Sequence, residues 1–195
     1  MNHRRVFKYL FLSLAISAAL VVRSMADRGV PASEGITNFG KVSDKLYRGA
    51  QPDEIGIEHL KALGVKLIIN LRVPRAALKA EAAEAASNGI SYTNIPLSGM
   101  GRPSDADVLK ILSLIENSPG PVFVHCEHGC DRTGTIIACY RIHHDHWSTD
   151  DATREAEKYG LSRYERGMRH CITGFADLES RRARAAALPP VPNPL

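Results

Sequence analysis

Several things are missing from this 195-residue sequence, and each absence narrows the reading. It has no internal repeat, which excludes a solenoid, and no composition break that would mark a second domain. It also lacks net charge over most of its length. Four of the 25 basic residues (Arg4, Arg5, Lys8, Arg23) and none of the 21 acids fall in the first 26 positions, so the remainder balances at 21 against 21. A neutral body of this kind does not indicate a nucleic-acid-binding surface, and no nucleic-acid partner is expected. Cysteines are few: Cys126, Cys130, Cys139 and Cys171 are the whole set. That excludes a disulfide-dense scaffold, and no second Cys/His pair stands at zinc-site spacing. At 44% hydrophobic and 24% charged, the chain still has enough apolar residues for one globular core.

No apolar run reaches the roughly 20 residues that cross a bilayer comfortably. The uncharged stretch Tyr9–Val22 falls short of that, follows the basic Arg4, Arg5 and Lys8, and precedes the small residues Ser24–Ala26. Residues 1–26 therefore read as a signal peptide or, if uncleaved, as an N-terminal membrane anchor and tether. Either form places the following domain outside the cytoplasm, so export is expected, with a cytoplasmic location as the alternative.

The rest alternates strand-like and helix-like segments. "ITNFGKV" and "KLYRG" are extended. "QPDEIGIEHLKALG" has Pro52, Asp53 and Glu54 where a helix begins and Gly64 where it stops. "VKLIINL" (Val65–Leu71) is the apolar run of a buried parallel strand. An alanine-rich helix closes at Asn88-Gly89, "ISYTNIP" is a further strand, and a helix opens at Ser104 with Asp107 in a capping-box arrangement. "GPVFVH" is the next buried strand and "RTGTIIACYRIHHD" the next helix, with helical segments around 149–159 and 172–187 and a proline-rich tail at 188–195. This order predicts a single α/β domain over 34–187 with a central, mainly parallel sheet flanked by helices. In such sheets ligands collect beyond the carboxyl ends of the strands.

One strand leaves at that end into "HCEHGCDRT" (His125–Thr133). Successive N–H groups in a loop of this kind can line a cup for a tetrahedral dianion, and the dipole of the following helix adds to it. Gly129 permits backbone angles other residues resist, and Arg132 offers a planar fork of donors for two phosphate oxygens. The same positive field favours the thiolate of Cys126, placed for in-line attack on a bound phosphate. The Thr133 hydroxyl is placed to bond the sulfur.

His-Cys, five residues, Arg-Thr resembles the signature of cysteine-dependent protein tyrosine and dual-specificity phosphatases. "LYRGAQP" (Leu46–Pro52), "IINLR" (Ile68–Arg72) and the strand–loop–helix layout extend the likeness, over about residues 36–160, to compact atypical dual-specificity phosphatases of plants, fungi and bacteria. The resemblance implies the cysteine-phosphatase fold and phosphomonoester hydrolysis through a phospho-cysteine, with no metal or other cofactor. Cys126 would be nucleophile and Arg132 the clamp. The amides of Glu127, His128, Gly129, Cys130, Asp131 and Arg132 would cradle phosphate, with Thr133 assisting sulfur departure and His125 ordering the loop. A phosphorylated protein is the first expectation for substrate, and a phosphoinositide or other small phosphate ester the second. A non-catalytic phosphate-binding module is the alternative of another class.

The sequence departs from the family at the general acid. The loop after the strand at 91–95 reads "PLSGMGRPSDAD", with Ser98 and Gly99 where an Asp is expected. Asp105 and Asp107 have helix capping as their simpler role. Asp131 is similar in placement to the Asp of myotubularin-type loops; it is either the acid or a brace bonded to backbone amides. Other readings stand beside these. His125, Cys126, His128 and Cys130 are all metal-ligand types, but a metal site leaves Arg132 and Thr133 unexplained. A Cys126–Cys130 disulfide would be an oxidised, inactive state. Arg48 and Arg72 either extend the anion-binding surface or form ion pairs. Arg102 is expected in solvent, His143, His144 and His146 at a helix C-terminus, Tyr140 and Trp147 in the core, and Arg181–Arg184 on a solvated face.

Overall fold

The computed structural model describes residues 32–73 and 76–186; the segments read as signal or anchor (1–26) and as proline-rich tail (188–195) lie outside them. Five four-residue strands, β1 (Gly40–Ser43), β2 (Leu46–Gly49), β3 (Leu67–Asn70), β4 (Ser91–Asn94) and β5 (Val122–His125), form one sheet in the order β1-β2-β5-β3-β4. The two residues between β1 and β2 leave room only for a hairpin, so this pair is antiparallel. Every other neighbouring pair is parallel. The helices are α1 (Glu54–Ala62), α2 (Ala76–Ser87), α3 (Asp105–Glu116), α4 (Asp131–His143), α5 (Thr149–Lys158) and α6 (Arg166–Ala186).

Because side chains alternate along a strand, each central strand feeds two cores. Leu46, Leu67, Ile69, Val122 and Val124 turn to one face and pack with Val108, Ile111 and Leu112 of α3, Ile136 and Ile137 of α4 and Phe175 of α6. Tyr47, Ile68 and Phe123 turn to the other face, against Ile57 and Leu60 of α1 and Ala85 of α2. A third, small-residue contact (Ala138, Ala152, Ala156, with Leu161, Met168 and Ile172) joins α4, α5 and α6. As a result α4 is buried continuously from Thr133 to Tyr140. Last of the strands in the chain, β5 is the middle one in space. It is buried throughout and paired on both sides, and it delivers the loop after His125 to the centre of the sheet edge.

Some elements differ from the sequence reading. Helix α6 starts at Arg166, six residues before the expected 172. Met168, Cys171, Ile172 and Phe175 form a buried stripe at helical spacing, and Gly167 packs so closely on Gly101 that a Cβ would lie 2.2 Å from its carbonyl carbon. Trp147 is not a core residue: it is 38% exposed and lies beneath the Arg141 guanidinium, 4.4 Å from it. Arg141 is in turn gripped by both oxygens of Glu155 (2.9 and 2.7 Å) and by Asp145 (2.7 Å). His143 does more than end a helix. It stands 2.6 Å from Glu179 and 3.1 Å from Glu116, tying α4 to α6 and α3. Tyr140 is buried as expected and stacks on His144.

Phe123 is fully buried at the middle of β5, with its ring stacked on His125 and tilted against Phe39. Replacing it with alanine is expected to cost roughly 3–5 kcal/mol, read as a lower urea midpoint at unchanged slope.

Candidate active site

The parallel register sets Gly49, His125 and Asn70 in one row at the carboxyl edge of β2, β5 and β3. Cys126 is the first residue beyond that row, and five residues later, at Asp131, α4 begins. The turn is tight, and its backbone is held from behind, carbonyl by carbonyl. The Cys126 carbonyl lies 3.1 Å from His125 Nδ1; a carbonyl can only accept, so Nδ1 carries a proton. The Glu127 carbonyl accepts the Gln51 N–H at 3.3 Å. That of His128 accepts from Asn38 Nδ2 (3.2 Å) and from the Cys130 thiol (3.3 Å), and that of Gly129 from Arg48 Nη2 (2.6 Å). No peptide in the described structure is cis. A trans peptide sets C=O and N–H on opposite sides, so the N–H groups of Glu127 to Cys130 face away from the protein body. Gly129 sits at φ +69°, and a Cβ there would come within 2.5 Å of the Gly49 carbonyl carbon. Only glycine fits.

The helix that follows is open at its start. Asp53, Ser104 and Ser148 cap α1, α3 and α5 with side-chain acceptors, whereas Cys130, the N-cap of α4, makes no such bond. First-turn N–H groups left uncapped carry the positive end of the helix dipole. Arg132, in that turn and half-buried, forms no ion pair with any described residue. Thr133 is fully buried, and its hydroxyl has no hydrogen-bond partner among the described residues. Asp131 is anchored: its Oδ1 accepts the Ser162 N–H at 2.9 Å, tying the loop to the connection between α5 and α6. This is the bracing role that the sequence left open beside proton donation.

Of the predicted loop residues, Cys126, Gly129, Cys130 and Thr133 are buried, Glu127, Asp131 and Arg132 half-buried and His128 exposed. No disulfide joins any of the four cysteines. Asp105 and Asp107 serve the start of α3: Asp107 exchanges hydrogen bonds with Ser104, and Asp105 pairs with Arg102, which is therefore not simply solvated. Arg72 donates to Gln51 (2.9 Å) and lies 3.6 Å from Glu127. Arg48, expected either to extend the anion-binding surface or to form an ion pair, is buried behind the loop and donates to the Gly129 carbonyl. Among the described residues no three His, Cys, Asp or Glu side chains gather as metal ligands.

Glu81 went unnoticed in the sequence, where it looked like one more polar residue of an alanine-rich helix. Here its carboxylate is buried over the strand ends. Oε2 accepts from Asn70 (2.6 Å) and Tyr92 (3.0 Å), and Oε1 lies 2.8 Å from His125 Nε2, close but not aligned as a hydrogen bond. Burial alone would raise its pKa, but His125, Gln51 and Asn70 together outweigh that and hold it below the ordinary 4.5. Only the register of α2 over β3 and β5 reveals this; no local motif marks it. Alongside lies a cavity of about 590 Å³ whose lining includes Gln51, Asp53, Glu54, Arg72, Glu81 and Glu84.

A group held below its unfolded pKa adds stability above that value and loses it as pH falls through the folded one. Glu81→Gln is therefore expected to destabilise the protein by about 1–3 kcal/mol near neutrality. The gap from wild type should shrink between pH 5 and pH 3 in urea titrations.

A family model described as "DSP-PTPase phosphatase fused to NAD+ Kinase" matches residues 26–170. The dual specificity protein phosphatase TpbA of Pseudomonas aeruginosa (strain UCBPP-PA14) is 30% identical over 126 residues, 64% of this chain and 55% of TpbA. The inositol diphosphatase DSP3 of Arabidopsis thaliana is 32% identical over 111 residues, 54% of each. The chain thus spans about half the length of these curated relatives. The crystal structure of P. aeruginosa TpbA superposes with a TM-score of 0.67 at 27% identity, covering 82% of this chain and 96% of that one. With the family model matching well over half of its length, and a fold shared with TpbA, this chain belongs to the DSP-PTPase phosphatase family.

Proposed function

We propose that the chain is a phosphomonoester hydrolase working through a phospho-cysteine at Cys126, with a phosphoprotein as substrate. One observation carries the reading: four successive loop carbonyls are tied inward around a buried cysteine that leads into an uncapped helix. That backbone presents donors to three oxygens of a phosphate while the sulfur stands beneath its phosphorus. The Cys126 thiolate attacks phosphorus, the S–P bond forms as the bond to the leaving oxygen breaks, and an acid supplies that oxygen with a proton. Water then attacks phosphorus and the S–P bond breaks, releasing inorganic phosphate and the thiolate. Arg132 spans two equatorial oxygens throughout. The unpartnered Thr133 hydroxyl would find its acceptor in the departing sulfur.

Charge supports a phosphoprotein over a polyphosphorylated small molecule. Among the described residues, the cavity beside Gln51 and Arg72 is lined by Asp53, Glu54, Glu81 and Glu84 against Arg72, and Arg72 is already engaged by Gln51 and Glu127. A second phosphate there would meet negative charge. Among the relatives, a TpbA variant has been solved in complex with phosphotyrosine, at 26% identity to this chain, whereas DSP3 is named for inositol diphosphates.

A panel assayed under reducing conditions without added metal tests both parts of the proposal. Phosphotyrosine peptides should be hydrolysed faster than inositol hexakisphosphate or phosphoinositide vesicles, and the reverse order would reassign the substrate. Cys126→Ser should lower kcat on the order of 10⁴-fold or more while phosphate still binds. Wild-type protein that binds phosphate yet turns over nothing would instead be a non-catalytic module.

Asp131 is proposed as the acid, and one substitution separates that role from bracing. Asparagine keeps an acceptor for the Ser162 N–H but carries no acidic proton. Asp131→Asn should slow alkyl phosphates by about a hundredfold and aryl phosphates much less, at an unchanged melting temperature. Equal rates on both would leave Asp131 as a brace only.

A further inference from the structure

Two residues behind the loop belong to neither the sequence signature nor the chemistry above. Arg48 comes from β2 and Asn38 from the segment before β1, and both are fully buried. Asn38 stands at φ +58°, which asparagine tolerates better than most residues. Its amide reaches the Tyr159 carbonyl at 2.8 Å, the His128 carbonyl at 3.2 Å and the Cys130 sulfur at 3.4 Å. The Arg48 guanidinium lies 3.9 Å over the Tyr159 ring and gives one hydrogen bond, 2.6 Å long, to the Gly129 carbonyl.

The rest of Arg48 is unusual for a buried cation. Its Nε and Nη1 have no hydrogen-bond partner among the described residues. A buried charge ordinarily needs a carboxylate. Glu155 contributes to the field at Arg48, but both its oxygens are held by Arg141. Burial pulls the guanidinium down to about 10, and nearby Tyr159, Glu155, Cys126 and Cys130 act in the opposite direction, so the charge persists at neutral pH. Two of those four groups are the thiols of the loop. A fixed positive charge therefore sits behind a loop that faces an anion in front, with one peptide group between them.

We propose that Arg48 and Asn38 are positioning residues for the phosphate site: they hold the Gly129 and His128 carbonyls away from the bound anion, and Arg48 adds from behind a second positive charge to the one Arg132 supplies in front. Holding those carbonyls turns the Cys130 and Gly129 N–H groups toward the anion. Its repulsive oxygens are thereby kept away from phosphate and from the thiolate. The proposal rests on Cys126 being the anion-binding nucleophile but does not depend on turnover.

The test is the rate of Cys126 alkylation by iodoacetamide in the full chain, followed by peptide mass spectrometry as a function of pH, with inorganic phosphate as protecting ligand. Arg48→Met should raise the pH midpoint by about one unit and the phosphate needed for half-protection about tenfold. Arg48→Lys keeps the charge with a single donor head and should restore the midpoint while protection stays several-fold weaker. Asn38→Gly accepts the positive φ without strain; it should weaken protection about threefold or more and leave the midpoint in place. Arg48→Met, folded by circular dichroism, with a wild-type midpoint and wild-type protection would overturn the proposal. So would equal displacement by Met and Lys, which a merely structural role predicts. If Arg48→Met does not fold, wild-type protection in both Arg48→Lys and Asn38→Gly overturns it. Because no arm measures hydrolysis, a protein that fails the substrate panel yet passes here would refute the phosphatase reading alone.

Discussion

The site depends on the inward turn of four successive carbonyls after β5. A peptide oxygen facing a phosphate dianion would repel it at close range, where the low-dielectric edge of a sheet magnifies the interaction. Each of the four is therefore bonded to something behind: the His125 ring, the Gln51 amide, Asn38 and Arg48. None of these donors has a free choice of position. His125 is fixed by its place at the end of β5, Gln51 follows β2, and Arg48 points as it does because Tyr47 beside it points the other way.

The sheet order follows the same requirement. A central β5 can be reached from both faces of the sheet. From the α1–α2 side come Glu81 and its contact with His125; from the α4–α5 side come Arg48, Asn38 and the Asp131 anchor to Ser162. An edge strand would offer such a loop support from one neighbour only. Packing α4 against the sheet and two helices has a further effect: the helix whose uncapped N-terminus follows the loop is buried continuously from Thr133 to Tyr140.

Much of this was legible in advance. Apolar runs of strand length alternating with capped helices predict a mainly parallel α/β sheet, and the caps Asp53, Ser104 and Ser148 lie where local hydrogen bonding can satisfy a helix start. Trp147 and the first turn of α6 were misread for one reason. Trp147 is held by a cation from the preceding helix, and Met168 and Cys171 continue a buried stripe whose partners lie in other elements. Local pattern carries no record of such partners.

The same division runs through the site. By itself the sequence determined the loop: the proposed nucleophile and clamp, a glycine for backbone angles other residues resist and a helix to follow, because all of these are written within nine consecutive residues. Only the tertiary structure decided what stands behind it. Asn38, Arg48 and Glu81 are 88, 78 and 45 positions before Cys126. They meet the loop because β2, β3 and β5 align in register and α2 crosses their ends. A buried arginine, asparagine or glutamate is costly wherever it lacks a partner, and its partners here come from distant parts of the chain. That is why the sequence marked neither Asn38 nor Glu81, and marked Arg48 only as a candidate without placing it behind the loop.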